Sequence, residues 1–131
     1  DKSIKRAKEI FKAYNFINDK SKIKIKYYDV IISLAVIEHI KDPKNFILEL
    51  QQYLKDEQSI IILTTPNPLF RILHEVGSNF KLFSNEASED HEELIGYNKM
   101  EKLIIDSSLK IIHHNFFLFG ANQLFVLKNK N

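Results

Sequence analysis

The feature that most constrains the fold is an apolar run, Val30 to Ile37, which stops abruptly at Glu38-His39. The run is rich in β-branched residues and does not alternate with polar ones. That pattern predicts a strand covered on both faces, as in the middle of a parallel sheet. Ligands of open parallel sheets collect at the carboxyl ends of the strands. An acid and an imidazole at the end of this strand are therefore candidates for chemistry.

A second buried strand, Ser59 to Leu63, follows after a helix. Asp42 is a candidate N-cap with Pro43 at the first helical position. The helix presents an apolar stripe of Phe46, Ile47, Leu50, Tyr53 and Leu54. Strand, helix and strand at this spacing predict a right-handed parallel crossover, so Thr64-Thr65-Pro66-Asn67 should end at the same edge as Glu38-His39.

The remaining elements are predicted from periodicity and turn residues. Ser3 to Tyr14 has the spacing of a helix that lies on a sheet. Asn98 and Glu101 resemble a capping box that opens a second helix. Leu109 to Phe119 and Gln123 to Leu127, separated by a turn, predict an antiparallel hairpin. Asn15 to Ile17 is a weaker candidate for a short strand.

These elements together resemble the class I S-adenosylmethionine-dependent methyltransferases. The resemblance rests on Tyr28 to Ile32, Glu38-His39-Ile40, Asp42-Pro43, Leu54-Lys55 and Ile60 to Asn67, and continues through His91 and 103–126. Within that superfamily the chain is most similar to the ubiquinone-biosynthesis-like O-methyltransferases and the type-11 and type-23 groups. The resemblance implies an α/β, Rossmann-like sandwich with a mainly parallel sheet and a C-terminal antiparallel hairpin.

The resemblance also implies a domain boundary. Residues 1–131 match the C-terminal two-thirds of such a domain, without its first strand and its glycine-rich loop. Residues 77–97 are polar and correspond to a region that closes the substrate pocket in relatives, which predicts a substrate-side lid. We expect the chain by itself to bind S-adenosylmethionine poorly or not at all, because the loop that wraps the methionine end of the cofactor and the acid that binds its ribose in relatives are both missing.

Site residues follow from the same resemblance. It implies catalytic roles for Glu38 and His39, with His39 able to act as a general base. The cofactor-binding candidates are Asp19, Ser33, Leu34 and Ala35, and the substrate-side candidates are Thr65, Pro66, Asn67 and His91. Simpler interpretations stay open. Glu38-His39 can be an acidic helix-entry loop, and Asn18-Asp19 followed by Lys-Ser is also an ordinary turn.

No metal site is predicted. Some relatives place a metal on Glu-x-x-Glu-His, and this chain has Ala35 where the first glutamate would stand. His74 or His91 could approach in principle. His113-His114 lies in a predicted strand, where structural or surface roles are favoured.

Composition limits the classes of function. The 131 residues suit one domain, and a net charge of +2 makes nucleic acid an unlikely partner. The absence of cysteine excludes a disulfide framework and fits the cytoplasm. No apolar run approaches the length of a membrane span. The expected function is methyl transfer to an oxygen of a small-molecule acceptor. An RNA-end methyltransferase and a truncated, non-catalytic domain are the alternatives, and the oligomeric state is open.

Overall fold

The computed structural model describes residues 2–70 and 94–130. Three helices and four strands lie wholly in this part of the chain: α1 (Lys2–Ile10), β1 (Val30–Leu34), α2 (Pro43–Tyr53), β2 (Ile60–Pro66), α3 (Tyr97–Ile104), β3 (Leu109–Phe117) and β4 (Asn122–Asn129). Residues 68–70 are also helical. Two single 3-10 turns, Lys20–Lys22 and Ile37–His39, complete the list.

The four described strands form one sheet in the order β1-β2-β4-β3. β1 and β2 are parallel, with Ser33 opposite Leu63, whereas β4 is antiparallel to both β2 and β3. The predicted parallel crossover and the predicted C-terminal hairpin are thus confirmed. β1 and β2 end at the same side of the sheet, which we call the carboxyl edge. The turn between β3 and β4 lies there too, because Pro66 pairs with Asn122.

The crossover helix begins as its sequence predicts. An oxygen of the Asp42 carboxylate accepts a hydrogen bond of 2.9 Å from the backbone N–H of Asn45, and Pro43 occupies the first turn. A side-chain acceptor at the N-cap and a residue without an N–H next to it both suit the unpaired donors of a helix start. The apolar stripe of α2 then turns Ile47 fully into the core.

The turn that joins α2 to β2 is made by an aspartate. Asp56 Oδ1 accepts hydrogen bonds from the backbone N–H groups of Gln58 and Ser59 and from the Ser59 hydroxyl, at 2.9 to 3.1 Å. These bonds, the Ser59 hydroxyl first, lower the pKa of the Asp56 carboxyl from its ordinary value. Three donors on one carboxylate oxygen explain how the chain turns here without glycine.

The core lies between one face of the sheet and the helices α2 and α3. Inward positions of β2 and β4 alternate with outward ones, as expected for strands. The buried apolar residues are Ile37, Ile47, Leu54, Ile61, Leu63, Ile95, Met100, Ile104, Leu109, Phe125 and Leu127. On β1 the outward-facing Val30, Ile32 and Leu34 are 48%, 60% and 60% exposed. The prediction that this strand is covered on both faces is therefore wrong for the described residues, because β1 is an edge strand of the described sheet and no described helix packs on its outer face.

Three predictions about the first helix, a short strand and the third helix are corrected. α1 ends at Ile10 instead of Tyr14 and buries no residue, so its apolar stripe does not pack on the described sheet. Residues 15–17 form no strand. α3 begins at Tyr97, after Gly96 as N-cap, and no side chain caps it, because the helix starts before Asn98 can act as the cap. None of the described helices is long and apolar enough to cross a membrane.

Candidate functional site at the carboxyl edge

The backbone bends sharply where β1 ends. Ala35 has a φ of 50°, in the left-handed region that non-glycine residues seldom adopt. Its N–H donates to the backbone carbonyl and to the side-chain oxygen of Thr64, at 3.1 Å each. These two bonds hold a conformation that costs of order 1–3 kcal/mol. The bend directs the chain into the 3-10 turn that carries Glu38 and His39.

The 3-10 turn separates its two candidate catalytic residues. It packs against β2 and α2, so Glu38 is only 7% exposed although its side chain is polar. His39 follows it at the surface, and its backbone N–H donates to the carbonyl of Val36 at 3.0 Å. The structure therefore holds a buried carboxylate and an exposed imidazole side by side in the chain.

Three polar side chains of the carboxyl edge are buried without a hydrogen-bond partner among the described residues. They are Glu38 through Oε2, Ser33 through its hydroxyl and Thr65 through its hydroxyl. Ser33 and Thr65 occupy inward positions at the ends of neighbouring parallel strands, β1 and β2. We call these three residues the edge cluster. A buried polar atom without a partner costs about 1–3 kcal/mol, and such groups commonly mark a bound water, ion or ligand.

The residues at and after the end of β2 differ in their burial and in their hydrogen bonds. Thr65 is fully buried, and Pro66 is the last residue of the strand. The side-chain amide of Asn67 is used by the backbone: Nδ2 donates to the carbonyl of Gly120 at 2.8 Å, and Oδ1 accepts from the N–H of Leu69 at 3.1 Å. Asn67 thus supports the chain at this edge, and its contact with a substrate stays a prediction. His91 and most of the predicted lid, residues 77–97, lie outside the described residues, so both stay predictions.

The four predicted cofactor-binding residues are not all brought together. Ser33, Leu34 and Ala35 lie at the end of β1, beside the 3-10 turn. Asp19 instead caps the 3-10 turn Lys20–Lys22, where its Oδ1 accepts from the N–H and hydroxyl of Ser21 at 3.0 and 2.8 Å. The ion pair of Lys20 with Glu49 ties this turn to the later part of α2. Asp19 acts as a turn residue in these contacts, and its role beside a cofactor stays a prediction.

The end of β1 offers apolar surface, because Leu34 and Val36 are 60% and 38% exposed. The polar atoms of the edge cluster are themselves buried and have no partner in the described chain. The exposed surface suits the ring of an organic cofactor, and the buried atoms are the polar groups of this edge that still need a partner. Within residues 2–70 and 94–130, no group of three or more His, Cys, Asp or Glu is arranged to hold a metal.

Gln123 is a buried polar residue on β4, only 1% exposed. The sequence pattern predicted it only as the first residue of a strand. Its amide contacts Pro66, Ile95 and His114. The signal was present in the sequence: inward positions of β4 run Gln123, Phe125, Leu127, so one polar residue interrupts an apolar face. A polar residue at an inward position requires partners, and these partners come from segments distant in sequence.

An open groove of about 690 Å³ lies elsewhere, between α3 and the start of β3. Lys102, Lys110 and Lys130 line it together with Glu101. Leu109 pairs with Asn129, and Lys128 pairs with Ile60, the first residue of β2. The groove is therefore at the opposite end of the sheet from the edge cluster.

The sheet, its crossover helix and the polar groups at the carboxyl edge define an α/β domain of the Rossmann-like class. The particular family follows from the sequence: the chain belongs to the methyltransferase domain family, whose model matches residues 3–112. The predicted superfamily is confirmed at this level, and the ubiquinone-like subgroup stays a prediction. Comparison with curated proteins gave no match.

Solved structures share the fold. The PH0226 protein from Pyrococcus horikoshii OT3 has a TM-score of 0.70 at 19% identity, over 99% of this chain and 68% of that one. A protein described as a type 11 methyltransferase, from Sulfolobus solfataricus, has a TM-score of 0.64 at 18% identity, over 98% and 66%. Magnesium protoporphyrin IX methyltransferase from Synechocystis PCC 6803, solved with bound SAH, has a TM-score of 0.58 at 18% identity, over 96% and 57%.

The chain therefore spans between 57% and 68% of the length of these structures. The predicted α/β, class I architecture is confirmed by the match of nearly the whole chain to each of them.

Proposed function

We propose that this chain acts in the transfer of a methyl group from S-adenosylmethionine to an oxygen of a small-molecule acceptor. The family match over residues 3–112 supports the reaction class. The single observation that carries the site is the Glu38 carboxylate, buried at the end of β1 with Oε2 lacking a partner in the described chain. A buried carboxylate without a partner is costly for folding, so its presence at a ligand-binding edge favours a functional role.

When bound, S-adenosylmethionine supplies an electrophilic methyl group on a positively charged sulfur. The end of β1 at Ser33, Leu34 and Ala35 would hold the cofactor. Glu38 would accept a hydrogen bond from the acceptor hydroxyl and orient its oxygen for attack, because such a displacement depends chiefly on alignment. The one proton of that hydroxyl would pass along this hydrogen bond to the Glu38 carboxylate, and the exposed imidazole of His39 would then take it up and release it to water.

The finer parts of the proposal concern the acceptor. Thr65, Pro66, Asn67 and His91 would face the acceptor. The acceptor would be a small molecule of the kind methylated in ubiquinone biosynthesis, such as a phenol, and the enzyme would act in the cytoplasm. Methyl transfer would proceed without a metal. An RNA end as acceptor and a non-catalytic domain are treated as outcomes of the test.

The test is methyl transfer by the purified chain. S-adenosylmethionine with an isotopically labelled methyl group is incubated with a panel of phenols, catechols and hydroxy acids, and in parallel with short RNA. We expect label in a methyl ether of a small molecule, identified by mass spectrometry, and the same rate with and without EDTA.

Three outcomes would contradict the proposal. Label at the end of the RNA alone would favour the RNA methyltransferase. Loss of activity in EDTA, restored by magnesium, would overturn the metal-free mechanism. No label in any acceptor, at cofactor concentrations high enough to offset weak binding, would favour a non-catalytic domain.

A further inference from the structure

The side chain of Gln123 is fully used in hydrogen bonding. Its Nε2 donates to the carbonyl of Pro66 at 3.1 Å and to the carbonyl of Ile95 at 2.6 Å, and its Oε1 lies 3.1 Å from Nε2 of His114. Carbonyl oxygens can only accept, so the NH₂ group must face Pro66 and Ile95. Oε1 then faces His114, whose Nε2 must carry the proton that forms this bond.

The imidazole that completes this arrangement is itself held by aromatic rings. His114 stacks on Phe125 with a centroid distance of 4.4 Å and an interplanar angle of 21°, and Tyr97 and Phe116 contact it at 5.2 and 4.9 Å. The ring cannot easily turn away, because neighbours on β4, β3 and α3 surround it. His114 therefore fixes the Oε1 side of the Gln123 amide, and the two N–H bonds on the other side point to Pro66 and Ile95.

The two carbonyls that accept these bonds stand on either side of residues 67–94. Pro66 ends β2 at the carboxyl edge, and Ile95 leads into Gly96 and α3. Pro66 and the following Asn67 are also held by the β3–β4 turn, since the N–H of Asn67 donates to the carbonyl of Ala121 at 2.9 Å. One buried amide on β4 thus holds the last residue of β2 close to the segment that precedes α3.

We propose that Gln123 is a positioning residue for the acceptor side of the carboxyl edge. By holding Pro66 and Ile95 to one amide, it sets where Thr65 and Asn67 stand relative to Glu38. This inference rests on the proposed function, which assigns the acceptor to that side. A small displacement there matters, because misplacing reacting groups by about 1 Å can lower the rate about a hundredfold.

A merely structural buried amide would behave differently, and a matched control separates the two cases. Gln51 also donates a side-chain hydrogen bond, from Nε2 to Oδ1 of Asn129 at 2.9 Å. That bond lies at the other end of the sheet, because Asn129 pairs with Leu109. Gln123→Met removes a side-chain amide from β4 at the carboxyl edge, and Gln51→Met removes one from α2 that contacts the opposite end of the same sheet.

The first readout is hydrogen exchange of the full chain, which needs neither cofactor nor acceptor. In Gln123→Met we expect the hydrogen-bonded amides of Leu69 and Met100 to exchange roughly tenfold faster, beyond any change shared with Ile61 and Leu63, because two anchoring bonds are lost. Gln51→Met should leave Leu69 and Met100 unchanged relative to Ile61. Gln123→Glu should speed these exchanges at least as much as Gln123→Met, because a buried carboxylate cannot donate to the two carbonyl oxygens and is repelled by them.

The second readout is kinetic, with S-adenosylmethionine and the phenol of the panel that the wild type methylates fastest. We expect Gln123→Met to raise KM for the phenol about tenfold or lower kcat by a similar factor, and to change KM for S-adenosylmethionine less than about twofold. Gln51→Met should change neither. An equal change in both KM values, or the same exchange pattern in Gln123→Met and Gln51→Met, would overturn the positioning role. If the wild type methylates nothing, the proposed function fails and hydrogen exchange alone still decides whether Gln123 holds both segments.

Discussion

Phe125→Ala is expected to lower the free energy of unfolding by about 3–5 kcal/mol, the range for removing a buried aromatic ring. Phe125 is fully buried on β4, stacks on His114 of β3 and contacts Tyr97 of α3. Removing its ring leaves a cavity, which neighbours on separate elements fill only in part. Urea denaturation followed by circular dichroism measures the effect. Because His114 holds Gln123, we also expect this variant to loosen the carboxyl edge.

The matched control is Phe117→Ala. Phe117 is the last residue of β3 and is 40% exposed, so its loss should cost less than about 1 kcal/mol. A larger loss for Phe117→Ala than for Phe125→Ala would mean that the inward and outward faces of the hairpin are assigned the wrong way round, and equal losses would contradict the burial of Phe125 alone.

Glu38→Gln is expected to lower methyl transfer about a hundredfold while leaving the free energy of unfolding unchanged or higher. The carboxylate is buried with an oxygen that has no partner in the described chain, which destabilises the fold. Replacing the carboxylate by an amide relieves part of that cost, and the amide oxygen that remains is a weaker acceptor and a far weaker base for the hydroxyl. Turnover and urea denaturation are measured on the same preparation.

Glu49→Gln provides the control, because it changes another carboxylate at a different place. Glu49 lies on α2, away from the edge cluster, and forms an ion pair with Lys20. The hydrogen bonds from Lys20 lower the pKa of the Glu49 carboxyl. Turnover should stay within about twofold of the wild type. If Glu38→Gln instead lost stability and kept its turnover, Glu38 would be a structural residue and the catalytic role would be withdrawn.

The sequence predicted well those parts of the fold that depend on local pattern. The run from Val30 became a strand, Asp42 and Pro43 began α2, and Gly120 lies in the turn of the hairpin at a φ of 87°. Each outcome is determined within a few residues, by side-chain alternation, by N–H groups that need an acceptor, or by a backbone angle that favours glycine.

The parts that were not predicted depend on contacts between distant segments. The stripe of α1 predicted a buried face, but burial requires a partner surface and none is supplied by the described sheet. Periodicity also could not reveal that the turn packs on β2 and α2, which makes Glu38 buried and His39 exposed. The bonds from Gln123 to Pro66 and Ile95 span 57 and 28 residues, so no local pattern encodes them.

The claim that the cofactor binds at the carboxyl edge is tested most directly by solution NMR. Amide chemical shifts of the isotopically labelled chain show where S-adenosylhomocysteine, the demethylated cofactor, contacts it. Millimolar ligand allows for weak binding. We expect shift changes centred on the amides of Leu34 to His39 and of Thr64 and Thr65, reduced in Glu38→Gln. Shifts confined to the groove lined by Lys102, Lys110 and Lys130, or no shift at saturating ligand, would contradict a cofactor site at the end of β1.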